Sequence, residues 1–215
     1  MIANALFIES VLESRRGDAT ATLRAAGATA SLGQQHGMAL YVAAGEFMGN
    51  WARGRLYDAG PVVSALRQAL TANLEAGIKF GAPLFHGLLA EIEFRAHEAD
   101  RALALIEKGL DIAEETGEHF TDAYLHRLRG DVLLQRDPTN PAPAEDALRT
   151  AITIAKQQGA RTFELLAALS LAKLHQSTGR PADAHAVLAP ALEGFSPTPE
   201  MPEIAEAQAL LAALA

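Results

Sequence analysis

Residues 170–192 read SLAKLHQSTGRPADAHAVLAPAL, and this stretch decides how the rest of the chain is understood. Leu171 and Ala172 stand eight and seven residues before Gly179; Ala184 follows five residues after it, with Leu188 and Ala191 four and seven residues further on. That is the spacing of one helix, a turn and a second helix. The small residues let the two helices approach closely where they cross, and the large ones fill the gaps between.

Working outward, four glycines follow apolar helical patterns and precede new ones: Gly37 in QQHGMALY, Gly77 in LEAGIKFG, Gly117 in EETGEHF and Gly159 in KQQGARTF. Their intervals of 40, 40 and 42 residues mark stacked supersecondary units. Each glycine sits where a left-handed residue ends a helix. Between glycines the chain holds two helical patterns. Leu84, Leu88, Leu89 and Ile92 form one apolar face, a break follows near His97 to Asp100, and Leu103, Ile106, Leu110 and Ala113 form the next. The following unit repeats this with Tyr124, Leu125, Leu128 and Leu133, a loop holding Pro138, Pro141 and Pro143, then Ala144, Leu148, Ile152 and Ala155. The pattern predicts a single all-α repeat domain over 1–215, with helical pairs at about 2–36, 38–77, 80–117, 120–159 and 162–195. A final helix at 202–214, with Ile204, Ala207, Leu210 and Leu211 on one side, is expected to cap the last pair.

The 170–192 unit resembles the tetratricopeptide repeat, whose first helix carries a Leu-Gly/Ala pair and whose second carries Ala at its closest contact. The resemblance implies a right-handed superhelix of about five hairpins with a concave face. The segments RALALIEKGLDIAEETGEHFTDAYLHRLRGDVLL, AEDALRTAITIAKQQGARTFELLAALSLAKLHQSTGR and HAVLAPALEGFS are also similar to the C-terminal repeats of large bacterial signalling and transcription regulators. In those proteins a class III adenylate or guanylate cyclase domain, or a DNA-binding domain, precedes a signal-transducing ATPase module. This likeness covers roughly residues 38–215 and implies a sensor or scaffold arm.

Composition narrows the function classes. An apolar content of 49% supports a packed core, and 26 acidic against 18 basic residues give a formal charge of −8. Such a surface repels phosphate backbones and anionic lipid, so direct nucleic-acid binding is not expected. Without cysteine there is no disulfide or thiolate chemistry, which suits a reducing cytoplasm. MIANALFIESVLESRR carries Glu9 and Glu13 and reads as an amphipathic helix, not a secretory signal. No uncharged apolar run reaches the length needed to span a bilayer, so the chain is read as cytoplasmic and without a membrane partner.

No motif names a reaction. Residues 49–56, GNWARGRL, are spaced like a phosphate loop, but Arg55 and Leu56 replace the lysine and hydroxyl, and a helical pattern precedes them. The expected reading is a close helix crossing at Gly49 and a turn at Gly54. His119, Asp122 and His126 would share a face on an uninterrupted helix. Gly117 interrupts it, and His86 occupies the place of His126 one repeat earlier, so packing is expected instead of metal. No GxSxG elbow is present, and Glu114-Glu115 reads as a solvated surface. Neither catalysis nor a cofactor is predicted.

The resemblance places a partner-binding groove on the first helix of each pair. With Gly49, Ala90, Gly130 and Ala172 as its eighth positions, the groove receives Glu46, Asn50 and Arg53, then Glu91, Phe94 and Arg95. It continues through Tyr124, Arg127, Asp131 and Gln135 to Lys173 and Gln176. Such a surface suits a protein segment or an adjacent domain. A small effector is the alternative occupant. A third possibility is a homodimer, for which an exposed apolar patch on an end repeat would be the sign. Arg95→Ala with Arg127→Ala is expected to leave helicity and melting nearly unchanged while weakening partner capture.

The tripeptide Arg-Gly-Asp occurs twice. At 16–18 it falls between two helices, with Gly17 turning the chain and Asp18 capping the next helix. At 129–131 it lies within a helix, where Gly130 is expected at a crossing and Asp131 towards the groove.

Overall fold

A computed structural model describes residues 2–75, 81–199 and 201–214. Among the described residues the chain is all-helical: α1 Ile2–Arg15, α2 Ala19–Gln35, α3 Ala39–Leu56, α4 Gly60–Glu75, α5 Ala82–Arg95, α6 Ala99–Thr116, α7 Asp122–Arg136, α8 Ala142–Gln157, α9 Arg161–Ser177, α10 Pro181–Leu192 and α11 Pro202–Leu214. A single 3-10 turn, His119–Thr121, precedes α7. The helix boundaries lie within a few residues of the expected ones; Gly77 lies outside the described residues. The chain divides into two compact units, residues 1–102 and 103–215.

The breaks share one device. After α1, α2, α5, α8 and α9 the second residue past the helix end has a positive φ: Gly17 (77°), Gly37 (66°), His97 (63°), Gly159 (65°) and Gly179 (73°). The next amide then reaches back to the helix's last free turn, as Asp18 N to Glu13 O (3.0 Å), Met38 N to Gly33 O (2.8 Å), Glu98 N to Glu93 O (2.9 Å), Ala160 N to Ala155 O (2.8 Å) and Arg180 N to His175 O (2.8 Å). His97 performs with a β-carbon what glycine performs elsewhere. Gly117 (φ 76°) closes α6 with a simpler bond, its amide to Ala113 O at 2.8 Å.

Unit 1 is built on α3. Phe47, Met48, Trp51 and Ala52 are buried there, together with Leu66 and Leu70 of α4 and Leu88, Leu89 and Ile92 of α5. Phe47 meets Phe85 edge-on at 4.8 Å. The crossing of α2 and α3 centres on Gly45, where a β-carbon would stand 2.7 Å from Ala26 O and Ala30 N. Gly49 was expected there, but a β-carbon on it would find only Arg53 Nη1, at 3.5 Å, nearer than 3.9 Å. Nor is Gly54 a turn. It lies inside α3, against Ile92 Cδ1 and Val62 Cγ2, each 2.9 Å from its β position. Residues 49–56 are thus continuous helix, and the phosphate-loop spacing is helix packing.

Unit 2 has a mostly aliphatic core formed by Ala144, Leu148 and Ile152 of α8, Leu165, Leu169, Leu171 and Leu174 of α9, and Leu188 of α10. Ile204 and Ala207 of α11 join it, with Leu210 and Leu211 packed alongside, so the terminal helix does cover the last pair. Gly130 is a crossing residue: its β position lies 2.6 Å from Leu148 Cγ and 3.1 Å from Ala144 O. Asp18 caps α2, accepting from Ala21 N at 2.8 Å. Both Arg-Gly-Asp copies therefore serve the fold. No described helix is long and apolar enough to cross a membrane.

Candidate functional site

In unit 1 the first helices of neighbouring pairs, α3 and α5, are joined by residues one repeat apart. Trp51 Nε1 donates to Glu91 Oε2 at 3.1 Å, and Arg55 donates to Glu91 Oε1 at 2.6 Å while its guanidinium stands 5.8 Å over the Trp51 ring. Arg95 reaches the carbonyls at the end of α3, Nε to Gly54 O and Nη2 to Arg55 O, both at 3.2 Å. Glu91 and Arg95, expected to face a partner, are thus committed to holding α5 against α3. Removing Arg95 leaves two helix-end carbonyls without their donor, so the expectation of unchanged melting for Arg95→Ala is corrected. Glu46 and Arg53 are exposed and Asn50 is half-buried, with Arg53 donating to Asn50 Oδ1 at 3.1 Å. Phe94 is half-buried.

In unit 2 Tyr124 is 5% exposed and belongs to the core, a second correction. Its ring lies 5.8 Å beneath the Arg127 guanidinium, and Arg127 Nη1 donates to Asp131 Oδ2 at 2.7 Å. Spaced i, i+4 on α7, this pair sits against Tyr124 as one stacked assembly. Gln135 and Gln176 are exposed. Lys173 bonds Glu206 of α11 at 2.7 Å, so it tethers the terminal helix.

Three polar assemblies each draw in a partner from a different helix, which local spacing does not reveal. Glu93 is fully buried and paired with Arg67 of α4 through Oε1, while its Oε2 has no hydrogen-bond partner. Glu145 of α8 gathers Arg149 (2.7 Å) and Arg180 (2.7 Å), with His175 Nε2 at 3.9 Å. The bond from Arg180 is the main reason its carboxyl is held at about 2. Burial pushes the His175 imidazole down. Arg161 joins the start of α9 to the end of α10, donating to Glu164 (3.0 Å) and Glu193 O (2.7 Å) and standing 5.7 Å over Phe195. The repeat period signals only the α3–α5 contacts, where Trp51 and Glu91 are 40 residues apart and Gly54 and Arg95 41.

His119 lies in the 3-10 turn, not on α7, and shares a 2.9 Å bond with Asp122 that raises its pKa. His126 is shifted down by burial. His86 is buried, its Nδ1 2.8 Å from Ala82 O. Among the described residues no group of three or more His, Asp or Glu is arranged to hold a metal. A shallow depression of about 550 Å³ lies along α10 and α11, lined by Ala189, Pro190, Leu192, Glu193, Phe195 and Gln208. Comparison with models of known protein families gives no match, and no curated protein sequence matches the chain.

Proposed function

We propose that this chain is a non-enzymatic protein-interaction or scaffold module. On this reading it is a tetratricopeptide-like repeat region of a cytoplasmic bacterial signalling regulator, and it binds a peptide or a neighbouring domain on its first-helix surface. The observation that carries the proposal is the side-by-side docking of equivalent first helices, Trp51 to Glu91 and Arg95 to the end of α3. Helices joined at one-repeat spacing present their outward polar residues as a repeating surface, the property that lets repeat proteins hold extended chains. Glu46, Asn50 and Arg53 supply an acid, an amide and a base on successive turns of α3. Opposite charges at that spacing select a partner by electrostatic fit more than by bulk affinity.

The test is a peptide-display selection followed by fluorescence anisotropy. A selected peptide should bind Glu46→Lys/Arg53→Glu at least tenfold more weakly, with circular dichroism unchanged. Peptides indifferent to this charge reversal would overturn the reading. The small-effector alternative, a sensor arm regulating an attached ATPase or cyclase, draws on the depression beside Phe195; Phe195→Ala should then abolish metabolite-induced thermal shifts.

A further inference from the structure

The first hairpin reverses the usual arrangement of a surface pair. α1 turns Ala3, Ser10 and Ser14 inward and leaves Ile2, Ile8 and Leu12 outward, at 70%, 47% and 57% exposure, with Ala5 exposed between them. The buried serines are satisfied within their own helix, Ser10 Oγ donating to Phe7 O and Ser14 Oγ to Val11 O. The outward face of α2 carries Arg24, Gly27, Ala28 and Ser31, with no bulky apolar group, and a β-carbon at Gly27 would meet nothing within 4 Å. Glu9 and Arg24, 3.6 Å apart, join the two helices across this surface.

The next repeat demonstrates what such a face accepts. Gly45, Met48 and Ala52 of α3 stand 40 residues after Ala5, Ile8 and Leu12, and all three are buried. α2 packs on this part of α3 with small residues, Ala26 and Ala30 touching Gly45 and Gly33 touching Val42. The equivalent face of α1 therefore suits a helix bearing small residues, and the outer side of α2 is such a helix. Large against small and acid against base are both complementary between α1 and α2, so the hairpin surface is complementary to itself.

We infer that the α1–α2 hairpin binds a second copy of this chain, α1 of each copy lying on α2 of the other about a twofold axis parallel to the helices. The Glu9–Arg24 pair sets the register. At about 1.5 Å per residue in both helices, Ala5 is level with Ala28 and Ile2 with Ser31. A twofold axis along the helices preserves height, so Ala5 of one copy meets Ala28 of the other, and each Glu9 gains a second arginine. Two helices roughly 21 and 25 Å long present a face near the small end of specific interfaces, so the dimer is weak and concentration-dependent. This inference stands apart from the polar surface of α3.

Sedimentation equilibrium of the 215-residue chain from about 1 to about 100 µM covers the affinities such an area supports. A reversible dimer is expected. Ile8→Glu/Leu12→Glu should weaken it at least tenfold, and Ser31→Trp on α2 should do the same, each with unchanged circular dichroism because these side chains are exposed. Ala5→Cys and Ala28→Cys variants, mixed and oxidised, should cross-link with each other in preference to themselves, since the natural chain has no cysteine. Monomer throughout the range, or a dimer that survives the α1 and α2 substitutions, overturns the inference. Self-linked Ala5→Cys as the main product overturns the arrangement. Glu46→Lys/Arg53→Glu should leave the dimer intact, which separates this outcome from that of the peptide-binding test.

Discussion

Unit 1 brings its helices together at three glycines, whereas unit 2 does so at Gly130 and otherwise spaces them with interlocking leucines. Gly33, Gly45 and Gly54 put α3 within β-carbon distance of its neighbours, and a fully buried Glu93 is answered by one arginine. Unit 2 relies on Leu148, Leu165, Leu171 and Leu188, and its central carboxylate, Glu145, is shared among two arginines near the surface. Backbone contact has no slack, so unit 1 should respond sharply to added atoms and lost partners. Flexible side chains and a solvent-reachable ion cluster should make unit 2 more tolerant of volume changes and more responsive to pH.

The hardest break is Arg67→Met, which leaves Glu93 buried without its partner and should cost about 3–5 kcal/mol in denaturant unfolding. Because Trp51 is the chain's single tryptophan and is buried in unit 1, its fluorescence should follow that loss. Next is a matched pair on α3. Gly45→Ala places a methyl against backbone atoms that cannot rotate away and should cost about 2 kcal/mol. Gly49→Ala, facing only the end of Arg53, should be neutral or stabilise by up to ~1 kcal/mol through helix propensity. Equal costs at the two positions would contradict the Gly45 crossing.

Acid should sharpen the contrast. The Glu145 carboxyl is depressed from 4.5 to about 2 in the folded chain, so its contribution is complete above pH 4.5 and is lost as pH falls towards 2. Burial lowers the His175 pKa, so its contribution is complete above its unfolded value of 6.5 and declines as pH falls below it. Both push the same way. Circular dichroism should therefore report a loss in acid that Glu145→Gln flattens below pH 4.5. The smallest effect is expected at His97, where glycine would relieve a left-handed β-carbon: His97→Gly should stabilise by roughly 0.5–1 kcal/mol in thermal melts.

The hairpin boundaries were legible because glycine, proline and apolar period act locally. Gly37, Gly117 and Gly159 mark turns by their own conformational freedom, and the expected proline-rich break separates α7 from α8. The partner-facing residues were only partly legible. The family resemblance put Glu46 and Arg53 on the partner-facing side, where they are exposed, but it put Tyr124 there too, although the ring is buried beneath Arg127. Glu145 and Arg149 are visible as an i, i+4 pair, but Arg180 joins them from 35 residues away.

By itself the sequence determined helices, turns and repeat length, since these follow from backbone conformation and a period of apolar residues within a few turns. Only the tertiary structure decided which glycine is a crossing, which charges are committed to the fold, and which apolar stripe is left in the open. Gly45 and Gly49 look alike in sequence, as do Leu12 and other apolar residues of α1; their roles depend on what stands opposite, and that is set by rotations of whole helices about one another. A one-position change in the crossing point turns a packing residue outward while leaving the local pattern intact.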